Sequence, residues 1–202
     1  MISRRAFVAA GLAAAALPPR FAAAGEGGAP ATISAFYDTL LATMKAGPTL
    51  GFAGRSQKLA PAIHRAFDLP LMTRLMVGPP WVGLTAEQQH QLVAAFSEFS
   101  IATYANRFDD YSGERFQVEP ESTKTASGVI VHSKLVKSDG GTVQLDYLMH
   151  EDAVGWQIVD VYLSGTVSEL ATRRSEFSSV MRRGGADALV DALQKKAAAL
   201  RS

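Results

Sequence analysis

Residues 143–193, VQLDYLMHEDAVGWQIVDVYLSGTVSELATRRSEFSSVMRRGGADALVDAL, change their apolar period halfway. Up to Ser164 apolar residues alternate along the chain, as in half-buried strands, and from Thr166 they recur at helical spacing. LDYL and GWQIVDVYLSG therefore read as two strands, followed through Gly165 and Thr166 by a helix. Thr166 and Glu169 form a capping-box pattern that predicts where this helix starts. Val167, Leu170, Phe177, Val180 and Met181 are then its inward residues. Arg182 and Arg183 suit the negative end of the helix dipole, and Gly184 ends it. A last helix carries Leu189, Val190 and Leu193. An antiparallel sheet that feeds directly into a long C-terminal helix makes the class α+β.

Working backward, FQVEP (116–120), GVIVHSKLVK (128–137), TVQLDYLMHE (142–151) and GWQIVDVYLS (155–164) predict four antiparallel strands. Taking SDGGT (138–142) as the turn of the middle hairpin pairs Lys137 with Val143. Val131 then faces Met149, Ser133 faces Tyr147 and Leu135 faces Leu145 on a nearly apolar face. Lys134 faces Asp146 on the other, a favourable cross-strand charge pair. A slip of one residue would exchange the two faces.

Farther upstream the period is helical. TISAFYDTLLATMK aligns Ile33, Phe36, Tyr37, Leu40, Leu41 and Met44 on one stripe, ended by Gly47-Pro48. A second helix starts near Ser56. A third, LMTRLMV, follows Asp68-Leu69-Pro70 and stops at Gly78-Pro79-Pro80. Thr85 and Gln88 form a capping box ahead of the longest helix, which runs to about Phe108 with Leu92, Val93, Phe96, Phe99 and Tyr104 inward.

Residues 1–24 read as an export signal: Arg4 and Arg5, then AFVAAGLAAAAL, then the small residues Ala22-Ala23-Ala24. Ser3-Arg4-Arg5-Ala6-Phe7 also fits the twin-arginine pattern, and the general secretory reading stays open beside it. A Gly-rich leader at 25–31 precedes a single domain at 32–202. Removing residues 1–24 takes three of the 20 Lys and Arg and none of the 19 Asp and Glu, so the mature chain carries a net −2. A nucleic-acid-binding chain would carry a basic excess instead. The chain has no cysteine, which excludes disulfides, thiolate metal sites and thiol catalysis. No second apolar stretch is long enough to anchor it in a bilayer.

Catalytic signatures are missing: no G-x-S-x-G elbow, no H-E-x-x-H, no P-loop and no dinucleotide fingerprint. His132, Asp146 and His150 share one face in this register and have zinc-ligand chemistry, but Lys134 and Gln144 lie beside them, and polar residues alternating on a hairpin normally mean a solvated face. Asp160 lies in a strand built to be buried. It is open between a general base in an isomerase-like pocket and a carboxylate satisfied by backbone donors. Arg173, Arg174, Arg182 and Arg183 are open between phosphate or partner contacts and a solvated helix face.

The order and spacing of LAPAIHRAFDLPLMTRLMVG, GPPWVGLTAEQQHQLVAAFSEF, TYANRFDDYSGERFQVEP and the closing strand-to-helix stretch resemble the MlaC family of periplasmic phospholipid-binding and toluene-tolerance proteins. The resemblance covers nearly all of the chain after residue 31. GFAGR, TYANRFDDYSGERF and SGTVSELATRRSEF look most like its hopanoid-biosynthesis-associated branch. What the resemblance implies is a fold with helices on one face of a twisted four-stranded antiparallel sheet, enclosing an apolar lipid pocket. On the strands and helices read above, the pocket wall is then Val131, Leu135, Leu145, Tyr147 and Met149 from the sheet, with Phe96, Phe99, Tyr104, Met72 and Leu75 from the helices. The implied activity is carriage of a phospholipid or hopanoid between inner and outer membranes, without catalysis, cofactor or metal. The implied partners are an inner-membrane ABC-type lipid transporter and an outer-membrane lipid complex. A periplasmic interaction module with a solid core is the third class the sequence leaves open.

Replacing both Arg4 and Arg5 by Lys is expected to strand the chain, unprocessed, in the cytoplasm. Cell fractionation checks this, and normal processing of the double variant would assign the segment to the general secretory route.

Overall fold

The computed structural model describes residues 28–201, so the segment read from sequence as an export signal, its arginine pair and the first part of the leader lie outside the described residues. Ala29, Pro30 and Ala31, read from sequence as leader, form the first turn of helix α1 (Ala29–Lys45). Pro30 starts it without loss, because the first amides of a helix have no intrahelical partner. Helices α2 (Gly47–Ala66), α3 (Leu69–Val77), α4 (Ala86–Arg107) and α5 (Glu169–Ala199) follow, with a 3-10 turn at Pro79–Gly83. Within α2 the backbone breaks at Gly51 (φ 60°), five residues ahead of the start read from sequence. The predicted capping box of α4 forms in full: Gln88 N–H donates to Thr85 Oγ1, and Thr85 N–H to the Gln88 side chain, each at 3.2 Å.

The sheet has five antiparallel strands rather than four, in the order β1 (Arg115–Thr125), β2 (Gly128–Val136), β3 (Thr142–Asp152), β4 (Gly155–Leu163) and β5 (Val167–Ser168). The extra strand arises because the chain does not run straight from β4 into the helix. Ser164 and Gly165 adopt positive φ, 53° and 74°, and fold the chain back so that Ser168 pairs with Tyr162 and Val167 with Leu163. Two sequence expectations fail here for that reason. The helix cap is Ser168, whose Oγ accepts the Ala171 N–H at 2.9 Å, not Thr166. Val167, expected inward, sits on the edge strand and is 52% exposed. The break near Gly184 does occur, at Gly185 (φ 67°), between two helical stretches of α5.

The middle hairpin keeps its predicted faces but shifts by two residues. Val131 pairs with Tyr147, Ser133 with Leu145 and Leu135 with Val143, while Met149 faces Val129. The cause is a tighter turn than the five residues assumed. Gly140 N–H donates to the Lys137 carbonyl, Lys137 N–H donates to that of Gly141, and Gly140 takes φ 86°. That is a three-residue loop ending in a left-handed glycine. Because the side-chain period is two, a shift of two leaves the apolar face intact. It does remove the Lys134–Asp146 pair: Gln144 now faces Lys134, and His132 faces Asp146 with Nδ1 3.2 Å from its carboxylate.

Two irregularities shape the sheet. Residues 119–121 of β1, Glu-Pro-Glu, are left out of register between Val118↔Ser133 and Ser122↔Val131. In β4 the register steps between Leu148↔Asp160 and Met149↔Ile158, so Val159 is the extra residue of a bulge. Ile158 and Val161 can therefore both face the core while Asp160 turns away from it. The Asp160 carboxylate accepts the Val161 N–H at 2.8 Å, the Leu170 N–H at 3.0 Å and the Ser168 hydroxyl at 2.5 Å. Of the two readings of this residue, the structure gives the satisfied carboxylate.

Replacing Asp160 by Ala strands a buried strand amide and the first turn of α5 without acceptors. An unsatisfied buried donor costs about 1–3 kcal/mol, and a loss of that order or more is expected in urea unfolding. Unchanged stability would show that Asp160 does not anchor the helix.

Candidate functional site

Between the apolar face of the sheet and the helices lies a cavity of about 120 Å³. The long helix α4 brings Phe96, Phe99 and Tyr104 to it, spaced so that they fall on one side of the helix. Leu145 and Tyr147 line it from β3, Val161 and Leu163 from β4, Met72 from α3, and Ile63 and Phe67 from the end of α2. Leu170 and Arg173, from the first turns of α5, border it as well. Phe67 fixes that end of α2 by bridging to Ile158 of β4. The aromatic rings interlock around the space: Phe67 meets Tyr104 edge-on at 5.6 Å, and Phe36 meets both Phe67 and Tyr104 at 5.3 and 5.4 Å.

Six of the ten residues read from sequence as the pocket wall border this cavity: Met72, Phe96, Phe99, Tyr104, Leu145 and Tyr147. Four do not. Val131 and Met149 are fully buried in packed core and do not border the cavity. Leu135 is half-buried at the side of the core. Leu75 is 40% exposed on the outer side of α3, where with Arg74, Trp81, Val82 and Arg174 it borders a separate shallow groove. Sequence reasoning missed Val161 and Leu163, which sit in the quoted W-Q-I-V-D-V-Y-L stretch. Their signal was hidden by the bulge at Val159, which breaks simple alternation.

Polar chemistry at the cavity is sparse. On its inner wall the Tyr147 hydroxyl lies 2.9 Å from that of Tyr37, which is 2.7 Å from Ser133 Oγ. Ser133 in turn donates to the Leu145 carbonyl at 2.5 Å, so the buried hydroxyls satisfy one another. Burial pushes the Tyr37 phenol up to about 12 and raises Tyr104 and Tyr147 well above the ordinary value. Ser100 and Thr103 also border the cavity, but each donates to a carbonyl one turn back in α4, at 2.8 Å.

The charged groups are Glu169, Arg173 and Arg107. Arg173 reaches Glu169 at 3.3 Å and Glu176 at 3.1 Å, with its guanidinium 5.0 Å from the centre of the Phe99 ring. Burial pushes the Glu176 carboxyl up, but hydrogen bonds from Lys196 and Arg173 outweigh it and hold the carboxyl below its usual value.

Asp160 does not border the cavity. The trio His132, Asp146 and His150 is not assembled either, because His150 Nε2 turns to Asp68 at 2.9 Å. Asp68, His150 and Asp152 do bring one ligand atom each within 4.8 Å of one another. Both carboxylates there already cap turns: Asp68 accepts the Leu71 N–H and Asp152 the Val154 N–H, each at 2.9 Å.

A family model described as MlaC protein matches residues 34–195 of the chain. No curated protein matches it. Among solved structures the chain is similar to a phospholipid-binding protein from Ralstonia solanacearum, solved in complex with a phospholipid. The two are 28% identical, with a TM-score of 0.75, over 87% of this chain and 100% of that one.

The tyrosines give a test of the site's dryness. An unfolded tyrosine ionises near pH 10, whereas Tyr37, Tyr104 and Tyr147 stay protonated to higher pH when folded. Their stabilising preference is fully present below about pH 10 and is lost as pH rises from there through the folded values. Phenolate absorbance is therefore expected to show these three ionising only as the protein unfolds. Reversible ionisation of all the tyrosines near pH 10 in the folded state would mean water reaches the cavity wall.

Proposed function

The chain belongs to the MlaC family, and from that membership we propose that it binds a phospholipid, with acyl carbons in the cavity, and carries it across the periplasm between the two membranes. The observation that carries this reading is the wall of Phe67, Phe96, Phe99, Tyr104, Leu145, Val161 and Leu163, which offers an acyl chain a largely apolar surface. The similar protein from Ralstonia solanacearum, with its phospholipid, supports the choice of ligand class.

The physics suits a carrier. Each methylene moved from water into an apolar site gains about 0.8 kcal/mol, so a lipid tail crosses water slowly unless it is covered. A carrier need only match the bilayer's apolarity to take up and release its cargo reversibly. No group on the cavity wall is arranged as a nucleophile with a base, which suits binding rather than reaction. Ordinary ligand pockets enclose roughly 300–1,000 Å³, so a space of about 120 Å³ must widen as tails enter. The strands are tied by ladder hydrogen bonds and the start of α5 is anchored at Asp160, which leaves the α4 side of the cavity to give way.

On this reading the chain loads from or delivers to an inner-membrane ABC-type transporter and an outer-membrane lipid complex, after export by its N-terminal segment. A hopanoid cargo, to which the closer branch resemblance points, would use the same apolar walls.

Two tryptophan variants test the carrier. Leu163→Trp projects an indole into the cavity and is expected to leave the melting temperature near that of wild type while removing most co-purified lipid, measured by mass spectrometry. Val131→Trp forces the same ring into packed core and is expected to cost about 1–3 kcal/mol. A stable Leu163→Trp with a full lipid load would overturn the placement of cargo in this cavity.

A further inference from the structure

We propose that Arg107 is the headgroup site: its guanidinium binds the phosphodiester of the lipid whose tails fill the cavity, and so makes this carrier select phosphate-bearing lipids. The proposal rests on the carrier reading above and adds to it the part of the ligand that is recognised.

Among the described residues the other charged side chains bordering the cavity are already paired, and of the neutral polar ones only the Tyr104 hydroxyl lacks a hydrogen-bond partner. Ser100 and Thr103 donate to their own helix. Tyr147 is joined to the hydroxyl chain through Tyr37. Glu169 and Arg173 neutralise each other at 3.3 Å, and Arg173 is engaged a second time by Glu176 at 3.1 Å. Tyr104 packs among Phe36, Phe67 and Phe108. Arg107 borders the same cavity and is exposed to solvent, and among the described residues no hydrogen bond or ion pair engages its guanidinium.

Its position fits the role. It lies in the last turn of α4, one turn beyond Tyr104, and its positive charge is felt at the Tyr104 phenol inside the cavity. The rim thus carries two arginines against one glutamate, and one of the arginines is uncommitted. An acyl chain lying along Phe96, Phe99 and Tyr104 places its polar end at this end of α4. A guanidinium presents paired N–H donors whose fork matches two phosphate oxygens, and it keeps its charge at any physiological pH. The ordinary alternative is an arginine whose methylene stem covers the apolar rim while its head stays in water, and such an arginine would confer no preference for phosphate-bearing lipids. A neutral hopanoid gains nothing from this group, so the same residue separates the two cargo classes.

The experiment loads delipidated wild type, Arg107→Gln and Arg107→Lys from vesicles containing either phosphatidylglycerol or diacylglycerol of the same acyl chains, and counts bound lipid by mass spectrometry. Wild type is expected to favour phosphatidylglycerol by about ten-fold, the scale of one charge-assisted pair. Arg107→Gln is expected to lose that preference while loading diacylglycerol as wild type does. Arg107→Lys, which keeps the charge but not the fork, should fall between them. Inorganic phosphate in the millimolar range is expected to leave loading unchanged.

Arg107→Gln that keeps the phosphatidylglycerol preference would overturn the assignment. So would a variant that loses both lipids equally, since that marks a structural role. Arg107-dependent binding of inorganic phosphate without lipid would overturn the headgroup in favour of a free-phosphate site. A wild type that loads neither lipid would overturn the carrier reading itself.

Discussion

The Asp160 carboxylate is the junction on which the rest of the site depends. It sits where the bulged strand β4 turns a carboxylate away from the core, and it gathers the Val161 amide, the Ser168 hydroxyl and the Leu170 amide onto one group. Those three contacts fix where α5 begins relative to the sheet. Leu170 and Arg173 follow within the next turn, and both border the cavity. A carboxylate at the start of a helix is also favourable for the helix dipole. Moving this junction by one residue would rotate α5 by about 100° and close or open the cavity's end.

The second organising tension is between packing and space. Protein interiors ordinarily fill to crystal-like density, and most of this one does, with Val131, Met149 and Ile158 fully buried. The cavity persists where rigid rings brace one another edge-on and stop short of collapse. Flexible aliphatic side chains at the same positions could fold into the gap. The buried hydroxyls of Tyr37, Tyr147 and Ser133 add to the bracing because each is held by a directional bond. Aromatic residues here serve as scaffolding around the space as much as its lining.

Much of this was legible in the sequence, and the misses have physical causes. Strand periodicity showed which face of β2 and β3 turns inward, since a shift of two residues does not alter it. Register was not legible, because SDGG closes a loop of three residues or of five with the same composition. Nor does period-two alternation tell which residues of the inward face meet open space, so Val131 and Met149 were placed on the cavity and belong to packed core. On α3, nine residues give too few turns to separate the buried Met72 from Leu75, which is half-open. β5 was hidden because Thr166 and Ser168 are both good caps, and the choice between them depends on Asp160, six and eight residues upstream. Arg107 gave no local signal; what distinguishes it is that, among the described residues, the other charged groups at the cavity are paired and it is not.

β1 brings a consequence of another kind. An outer strand offers unpaired amides and carbonyls to any neighbouring chain, and a flat, apolar edge invites fibril-like addition. Here the edge is interrupted by Glu119-Pro120-Glu121, out of register with β2, with exposed charges along it. Proline withholds its donor, and paired glutamates repel an identical edge. The same three residues that spoil the ladder discourage two copies of this chain from pairing along this edge. The disorderly stretch of the sheet is therefore what guards its open edge.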